Sequence, residues 1–186
     1  MEHYSGTIPN WFNYGAIFED VVANANDGDK FVEVGVWYGA SAAYMGVEII
    51  NSGKKLTFDA IDSFEASKEL SAEALIGVED AAIINLKPVI DAGAVNLIKG
   101  YSLDVVNNYE DESLSFVFID GSHYYDDVKA DILAWLPKVK SGGIIGGHDY
   151  GKTDENAEGV EDAVNEIFGK DNITLHESTS WLYTKK

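Results

Sequence analysis

Phe116-Val-Phe-Ile-Asp-Gly-Ser-His-Tyr-Tyr-Asp-Asp127 reads as an apolar strand that stops at Asp120 and opens into a loop carrying His123. A second such strand, Gly143-Ile-Ile-Gly-Gly147, stops at His148-Asp149-Tyr150. Ligands of open α/β sheets bind beyond the carboxyl ends of the strands. Those are the ends where this chain puts its ionisable groups, so an active site is expected there.

Outward from these strands, apolar periodicity predicts a helix over 10–25, with Trp11, Tyr14, Phe18, Val21 and Val22 at helical spacing and Pro9 just ahead. A strand at 31–35, a helix over 41–50 and a largely buried strand over 56–62 follow. Residues 65–78, rich in Ala, Ser and Glu, have weak periodicity and read as either a mobile lid or a surface insertion. Next come a helix over 79–92, a strand at 95–99, a short helix over 103–109, the strand 114–120, a helix over 126–137 closed by Pro137 and the strand 143–147. A helix over 158–168 and strands over 172–177 and 180–184 complete the chain.

The alternation predicts an α/β fold: a Rossmann-like, doubly wound, seven-stranded sheet, mostly parallel, with helices on both faces. The last two strands, joined only by Ser178-Thr179, are too close for a parallel crossover. The final strand is therefore expected to run antiparallel, in a C-terminal hairpin. No internal repeat or linker divides residues 1–186, so one domain is expected.

Composition narrows the function. A formal net charge of −19 repels phosphate backbones and argues against nucleic acid as a partner. It fits general solubility or a saline habitat, and it favours divalent cations. With no cysteine, disulfides, thiolate zinc sites and cysteine nucleophiles are out, and a cytoplasmic location is expected. No apolar run reaches membrane-spanning length, and the N-terminus does not read as a secretory signal.

Glu33-Val-Gly-Val-Trp-Tyr-Gly-Ala-Ser41 joins the first strand to its crossover helix. Glycines there permit a tight turn and close approach of a ligand to backbone, or a tight turn alone. The Gly35-x-x-x-Gly39 spacing is not the dinucleotide fingerprint. The second strand ends at Asp62, which is either a solvated strand end or an acceptor for ribose hydroxyls.

These stretches, with Ile61-Asp-Ser-Phe64, Ile98-Lys-Gly-Tyr-Ser102, Phe118–Tyr125 and Gly142–Tyr150, resemble the class I S-adenosylmethionine-dependent methyltransferases over about residues 31–150. Within that class the last two motifs resemble small-molecule and sugar O-methyltransferases related to metal-dependent catechol and caffeoyl-coenzyme A types. The resemblance implies S-adenosylmethionine as cofactor. Gly35 and Gly39 would pass its methionine part, Glu33 would shape that pocket, and Asp62 would take the ribose hydroxyls. Phe64 would flank the adenosine, and Gly100 and Ser102 would line the adenine end. Tyr38, Ser41, Ser63, Tyr101 and Asp120 complete the expected cofactor contacts.

If Asp120 and Asp149 end neighbouring strands, as in the resembled fold, their carboxylates call for a cation between them. Oxygen ligation suits Mg²⁺ or another hard divalent ion. Relatives have an Asn directly after the second acid; Tyr150 stands there, so His148 is the candidate third ligand. Alternatively, Asp149 binds substrate or caps a turn. His123 stands where relatives have a lysine that removes the acceptor's proton, and its ordinary pKa suits a base. It also reads as a packing histidine.

The expected activity is methyl transfer to a hydroxyl of a small molecule, including a sugar or polyol, with His123 and Asp120 as catalytic residues. A non-catalytic S-adenosylmethionine-binding module, a dinucleotide-dependent oxidoreductase, and a methyltransferase acting on nitrogen or carbon are the rival readings. Pairing into a homodimer through N-terminal helices, as such relatives often do, is left open.

Overall fold

The computed structural model describes residues 1–151, 158–176 and 179–186. Seven strands form one sheet: β1 (Lys30–Val34), β2 (Thr57–Asp62), β3 (Val95–Lys99), β4 (Leu114–Ile119), β5 (Val139–Gly147), β6 (Thr174–His176) and β7 (Ser180–Thr184). Their order is β3-β2-β1-β4-β5-β7-β6. All neighbours are parallel except at β7, which pairs antiparallel with both β5 and β6. This is the predicted hairpin, although its expected link at Ser178 and the expected end of the sixth strand at 177 lie outside the described residues.

The helices are α1 (Gly15–Asn24), α2 (Ala40–Ser52), α3 (Val78–Asp91), α4 (Ser102–Val105), α5 (Tyr125–Trp135) and α6 (Glu158–Phe168). Strand alternation sends Phe31, Phe58, Phe116 and Phe118 to one face, where they pack with residues of α1, α2 and α3. Val32, Val117, Ile119 and Ile145 go to the other, against Val105, Ile132, Trp135 and Val164 of α4, α5 and α6. From β1 the chain steps outward to β2 and β3, then returns to place β4 on the other side of β1. The sheet therefore switches direction between β1 and β4, where a crevice opens at the carboxyl ends.

Several boundaries differ from the sequence expectation; the sixth strand, for one, starts at Thr174 rather than 172, after a 3-10 turn at Lys170–Asn172. The first helix begins at Gly15 rather than residue 10. The Asn10 side chain bonds Ile8 O at 2.5 Å and accepts the Phe12 N–H at 3.1 Å, a local alternative to helical bonding. Trp11 is thereby left 75% exposed instead of on a buried helical face. The fifth strand starts at Val139 rather than 143, across a register shift opposite Leu114–Phe116. Lys140-Ser-Gly-Gly143 reads as a turn, yet Gly142 and Lys185 bond backbone to backbone and extend the ladder. The short helix near 103–109 is one α turn followed by a 3-10 turn at Val106–Asn108.

Candidate functional site

A cavity of about 770 Å³ opens over the β1–β4 switch. Of the residues singled out in the sequence for cofactor, metal or catalysis, all but Glu33 and Gly39 line it. Gly39 instead starts α2 at φ +89°, where a Cβ would press on Leu86 of α3 at 3.0 Å. Glu33 lies fully buried beneath the cavity floor. Its Oε2 has no hydrogen-bond partner, and Tyr14 Oη reaches its Oε1 at 3.4 Å. Burial pushes the Glu33 carboxyl up to about 8, against the lowering effect of the Ser41 and Tyr14 hydroxyls.

Gly35 is the pivot of the crevice. Its φ is +96°, and a Cβ would stand 2.0 Å from Asp120 O. The backbone ends of β1 and β4 touch here, held by Asp120 N–H to Val34 O at 2.7 Å. The loop that follows wraps the Asp62 carboxylate. Asp62 Oδ2 accepts the N–H groups of Val36 (2.8 Å) and Trp37 (2.9 Å), and Oδ1 accepts that of Phe64 (2.8 Å). A carboxylate has about four acceptor sites, so Asp62 keeps room for one more donor. Trp37, Phe64 and Asp149, all lining the cavity, adopt left-handed φ of 51°, 53° and 64°. Such strain costs about 1–3 kcal/mol per residue and concentrates at functional sites.

Asp120 and Asp149 end adjacent strands, as anticipated. Strand β5 stops at Gly147, and the turn at Asp149 brings both His148 and Asp149 toward Asp120. His148 Nδ1 lies 3.1 Å from Asp149 Oδ1 and 3.7 Å from Asp120 Oδ1. Its Nε2 is fixed by Asn13 Oδ1 and Thr179 Oγ1, both at 2.9 Å. With Nε2 anchored there, Nδ1 is turned toward the carboxylates of Asp120 and Asp149. Tyr14 Oη donates to Asp120 Oδ2 at 2.8 Å, and burial with the nearby Asp149 charge raises the Asp120 carboxyl.

His123 closes the ring of groups. Its Nε2 lies 2.6 Å from Asp149 Oδ2, and its Nδ1 lies 2.8 Å from Glu69 Oε2. Burial pulls the imidazole down, but the hydrogen bonds and charges of Asp149 and Glu69 outweigh it and raise the pKa to about 10. In this geometry His123 is an imidazolium at neutral pH. Asp120, His123 and Asp149 each offer a ligand atom, all within 4.8 Å of one another, so they also suit a metal ion.

Three residues of the site had no motif in the sequence. Glu69, in the 65–77 segment, accepts the His123 N–H (2.7 Å) and the Ser122 hydroxyl (3.1 Å) besides pairing with the ring. Asp131 reaches in from α5 and accepts the Ser102 hydroxyl at 2.5 Å, while Trp135 Nε1 donates to Ser102 Oγ at 2.8 Å. Burial pushes the Asp131 carboxyl up to about 6. Tyr14 read as one of a group of aromatics, with Trp11, Phe12, Trp37 and Tyr38, that pack helices or wall an acceptor pocket. The one signal within reach was an acidic residue on an otherwise apolar helix stripe, at Asp131.

The cavity, its glycine-lined floor, the spare acceptor on Asp62 and the surrounding carboxylates fit a nucleoside carrying a cationic centre. Solved structures share the fold. A Staphylococcus aureus protein assigned to the caffeoyl-CoA O-methyltransferases is 14% identical with a TM-score of 0.66, covering 97% of this chain and 87% of its own. The O-methyltransferase NovP is 21% identical with a TM-score of 0.64, covering 92% and 77%. CalS11, a TDP-rhamnose 3′-O-methyltransferase of calicheamicin biosynthesis, is 17% identical with a TM-score of 0.57, covering 90% and 75%. Protein y4gI of Sinorhizobium fredii is 34% identical over 53 residues, which is 28% of this chain and only 6% of that protein. A family model described as a methyltransferase domain matches residues 32–150, well over half the chain. The chain therefore belongs to the methyltransferase domain family, with the class I fold of enzymes that use S-adenosylmethionine.

Proposed function

We propose that the protein transfers a methyl group from S-adenosylmethionine to a hydroxyl of a small molecule, assisted by a divalent cation. The observation that carries this reading is the convergence of Asp120, His123 and Asp149 beside the glycine-lined cavity. Solved structures of the same fold named as O-methyltransferases lend support.

When bound, S-adenosylmethionine supplies an electrophilic methyl on a sulfonium and departs as S-adenosylhomocysteine. The protein's part is alignment, which is worth up to about 7–11 kcal/mol in well-oriented reactions. Asp62 offers its remaining lone pair to a ribose hydroxyl, and Gly35 admits the cofactor close to backbone. Ser102 and Asp131 present a polar edge to the adenine end. The acceptor hydroxyl replaces Asp149 at His123 Nε2. With that carboxylate gone from the ring, the imidazole drops toward its ordinary range and gives up its Nε2 proton to solvent; the freed nitrogen then takes the hydroxyl proton as the new O–C bond forms and the methyl–sulfur bond breaks. Glu69 holds Nδ1–H and so keeps Nε2 as the reactive nitrogen. Segment 65–77, which carries Glu69, acts as the lid.

Asp120, Asp149 and His148 Nδ1 would hold the cation, which would lower the pKa of the acceptor hydroxyl. The 4.8 Å grouping of Asp120, His123 and Asp149 favours a second arrangement, with His123 as the ligand in place of His148. Isothermal titration calorimetry of S-adenosylhomocysteine, with and without Mg²⁺, tests both. Micromolar cofactor heat and a separate Mg²⁺ heat lost in Asp149→Ala are expected. Loss of the Mg²⁺ heat in His123→Ala selects the second arrangement, and no cofactor heat at all refutes the reading.

A further inference from the structure

The cavity is electrically one-sided. Asp62, Glu65, Glu69, Asp120, Asp131 and Asp149 line it, and His123 and His148 are its basic side chains. Among the described residues no lysine lines it. The sequence contains no arginine, so all 13 residues counted as Lys or Arg are lysines. Lys68, flanked by the lining residues Ser67 and Glu69, is paired with Asp127 at 3.4 Å.

Backbone amides do not make up the deficit. The N–H groups of Val36, Trp37 and Phe64 form an anion-binding nest, and the Asp62 carboxylate already fills it. The His123 N–H is taken by Glu69. A cation between Asp120 and Asp149 would be balanced by those two charges. An incoming phosphate or carboxylate would therefore meet acids with, among the described residues, no guanidinium or ammonium to pair with.

The rim offers another kind of contact. Trp11 and Trp37 both line the cavity, with ring centroids 5.6 Å apart at an interplanar angle of 30°. Trp11 is 75% exposed, so its outer face is free for a ring to lie on. A flat or pyranose ring laid there can turn its hydroxyls, which donate, toward carboxylates, which accept.

We propose that the acceptor is a hydroxylated ring bearing no phosphate or carboxylate, stacked on Trp11 with its hydroxyls directed at the acidic cavity. This inference rests on the methyl-transfer reading and narrows it. It sets this protein apart from solved structures whose names specify a coenzyme A thioester or a nucleoside-diphosphate sugar as substrate. Two kinds of molecule share the required chemistry, a neutral glycoside and a simple phenol.

The test titrates matched pairs into protein saturated with S-adenosylhomocysteine and Mg²⁺: methyl glucoside against TDP-glucose, and catechol against 3,4-dihydroxybenzoate. The neutral member of at least one pair binds ten-fold or more tighter than its anionic partner. Trp11→Ala, a change at an exposed position, weakens that binding at least ten-fold and leaves S-adenosylhomocysteine affinity unchanged. The pair that responds tells a sugar from a phenol. Equal or tighter binding of the anionic members overturns the inference, as does binding of none of the four or an unaltered Trp11→Ala. Absence of S-adenosylhomocysteine heat refutes the methyl-transfer reading instead, and the panel then still reports which charge the cavity accepts.

Discussion

Replacing Gly35 by alanine should be far more damaging than the same change at Gly28, although the two glycines have nearly the same backbone angle, φ +96° and +93°. Both variants incur the left-handed penalty, about 1–2 kcal/mol. At Gly28 nothing lies within 4 Å of the added Cβ, so that penalty is the whole effect. At Gly35 the Cβ meets Asp120 O at 2.0 Å, Asp120 C at 2.5 Å and Gly121 N at 2.9 Å, all backbone. To reach ordinary contact near 3.4 Å the ends of β1 and β4 must part by roughly 1.4 Å. That stretches the Asp120 N–H to Val34 O bond. Overpacking adds about 1–3 kcal/mol, and the weakened hydrogen bond contributes up to about 1 kcal/mol. The total is about 2–6 kcal/mol, against about 1–2 at Gly28. Urea unfolding reads this directly. With a slope of about 2 kcal/mol/M, the midpoint falls by about 1–3 M for Gly35→Ala and about 0.5–1 M for Gly28→Ala. Midpoints within about 0.3 M of each other would refute the close-approach argument. Because Asp120 moves with the strand end, Gly35→Ala should also weaken S-adenosylhomocysteine binding, whereas Gly28→Ala should not.

Three further outcomes are expected. Glu69→Gln removes one of the charges that raise His123, so the ascending limb of the methyl-transfer pH profile, where the base deprotonates, should move to lower pH; an unmoved limb would mean that His123 is not the titrating base. In metal-free protein the same pairing should stabilise the fold fully below about pH 6.5 and be lost as pH climbs through about 10, so melting temperature should fall across that window, and less steeply in Glu69→Gln. Lys54→Met removes an ammonium that donates to the carbonyls of Val22 (2.7 Å), Ala23 (2.7 Å) and Ala25 (2.9 Å) at the end of α1. The loss should be about 1–2 kcal/mol, a drop of about 2–8 °C in Tm, and an unchanged melt would show that water replaces the cap at no cost.

The order of strands and helices was legible in the sequence because each element carries its own period: two along strands, 3.6 along helices. The antiparallel last strand followed from chain length alone, since Ser178-Thr179 cannot span a parallel crossover. The acidic strand ends at Asp62, Asp120 and Asp149 were visible for the same local reason, as each interrupts an apolar run. Where a side chain competes with the backbone, as Asn10 does ahead of α1, the periodic pattern overran the true boundary. Where polar residues complete a ladder through a distant partner, as Lys140–Gly143 do with Lys185, it fell short.

Which groups meet was decided by tertiary structure. Sequence placed His123 beside Asp120, but folding gave its ring to Asp149 and to Glu69, 54 positions away. Sequence paired His148 with its neighbour Asp149, but only the fold anchored its far nitrogen on Asn13 and Thr179 and turned the near one to the carboxylates. Counting charges along the chain showed an acidic protein; it did not show that the lysines described here stay off the cavity, that Asp62 fills the loop's amides or that Trp11 stands open at the rim. Local sequence carries conformational preference, because dihedral and burial patterns are short-ranged. Electrostatic and hydrogen-bond partnerships act through space between residues far apart in the chain, so they emerge only when the sheet brings its strand ends together.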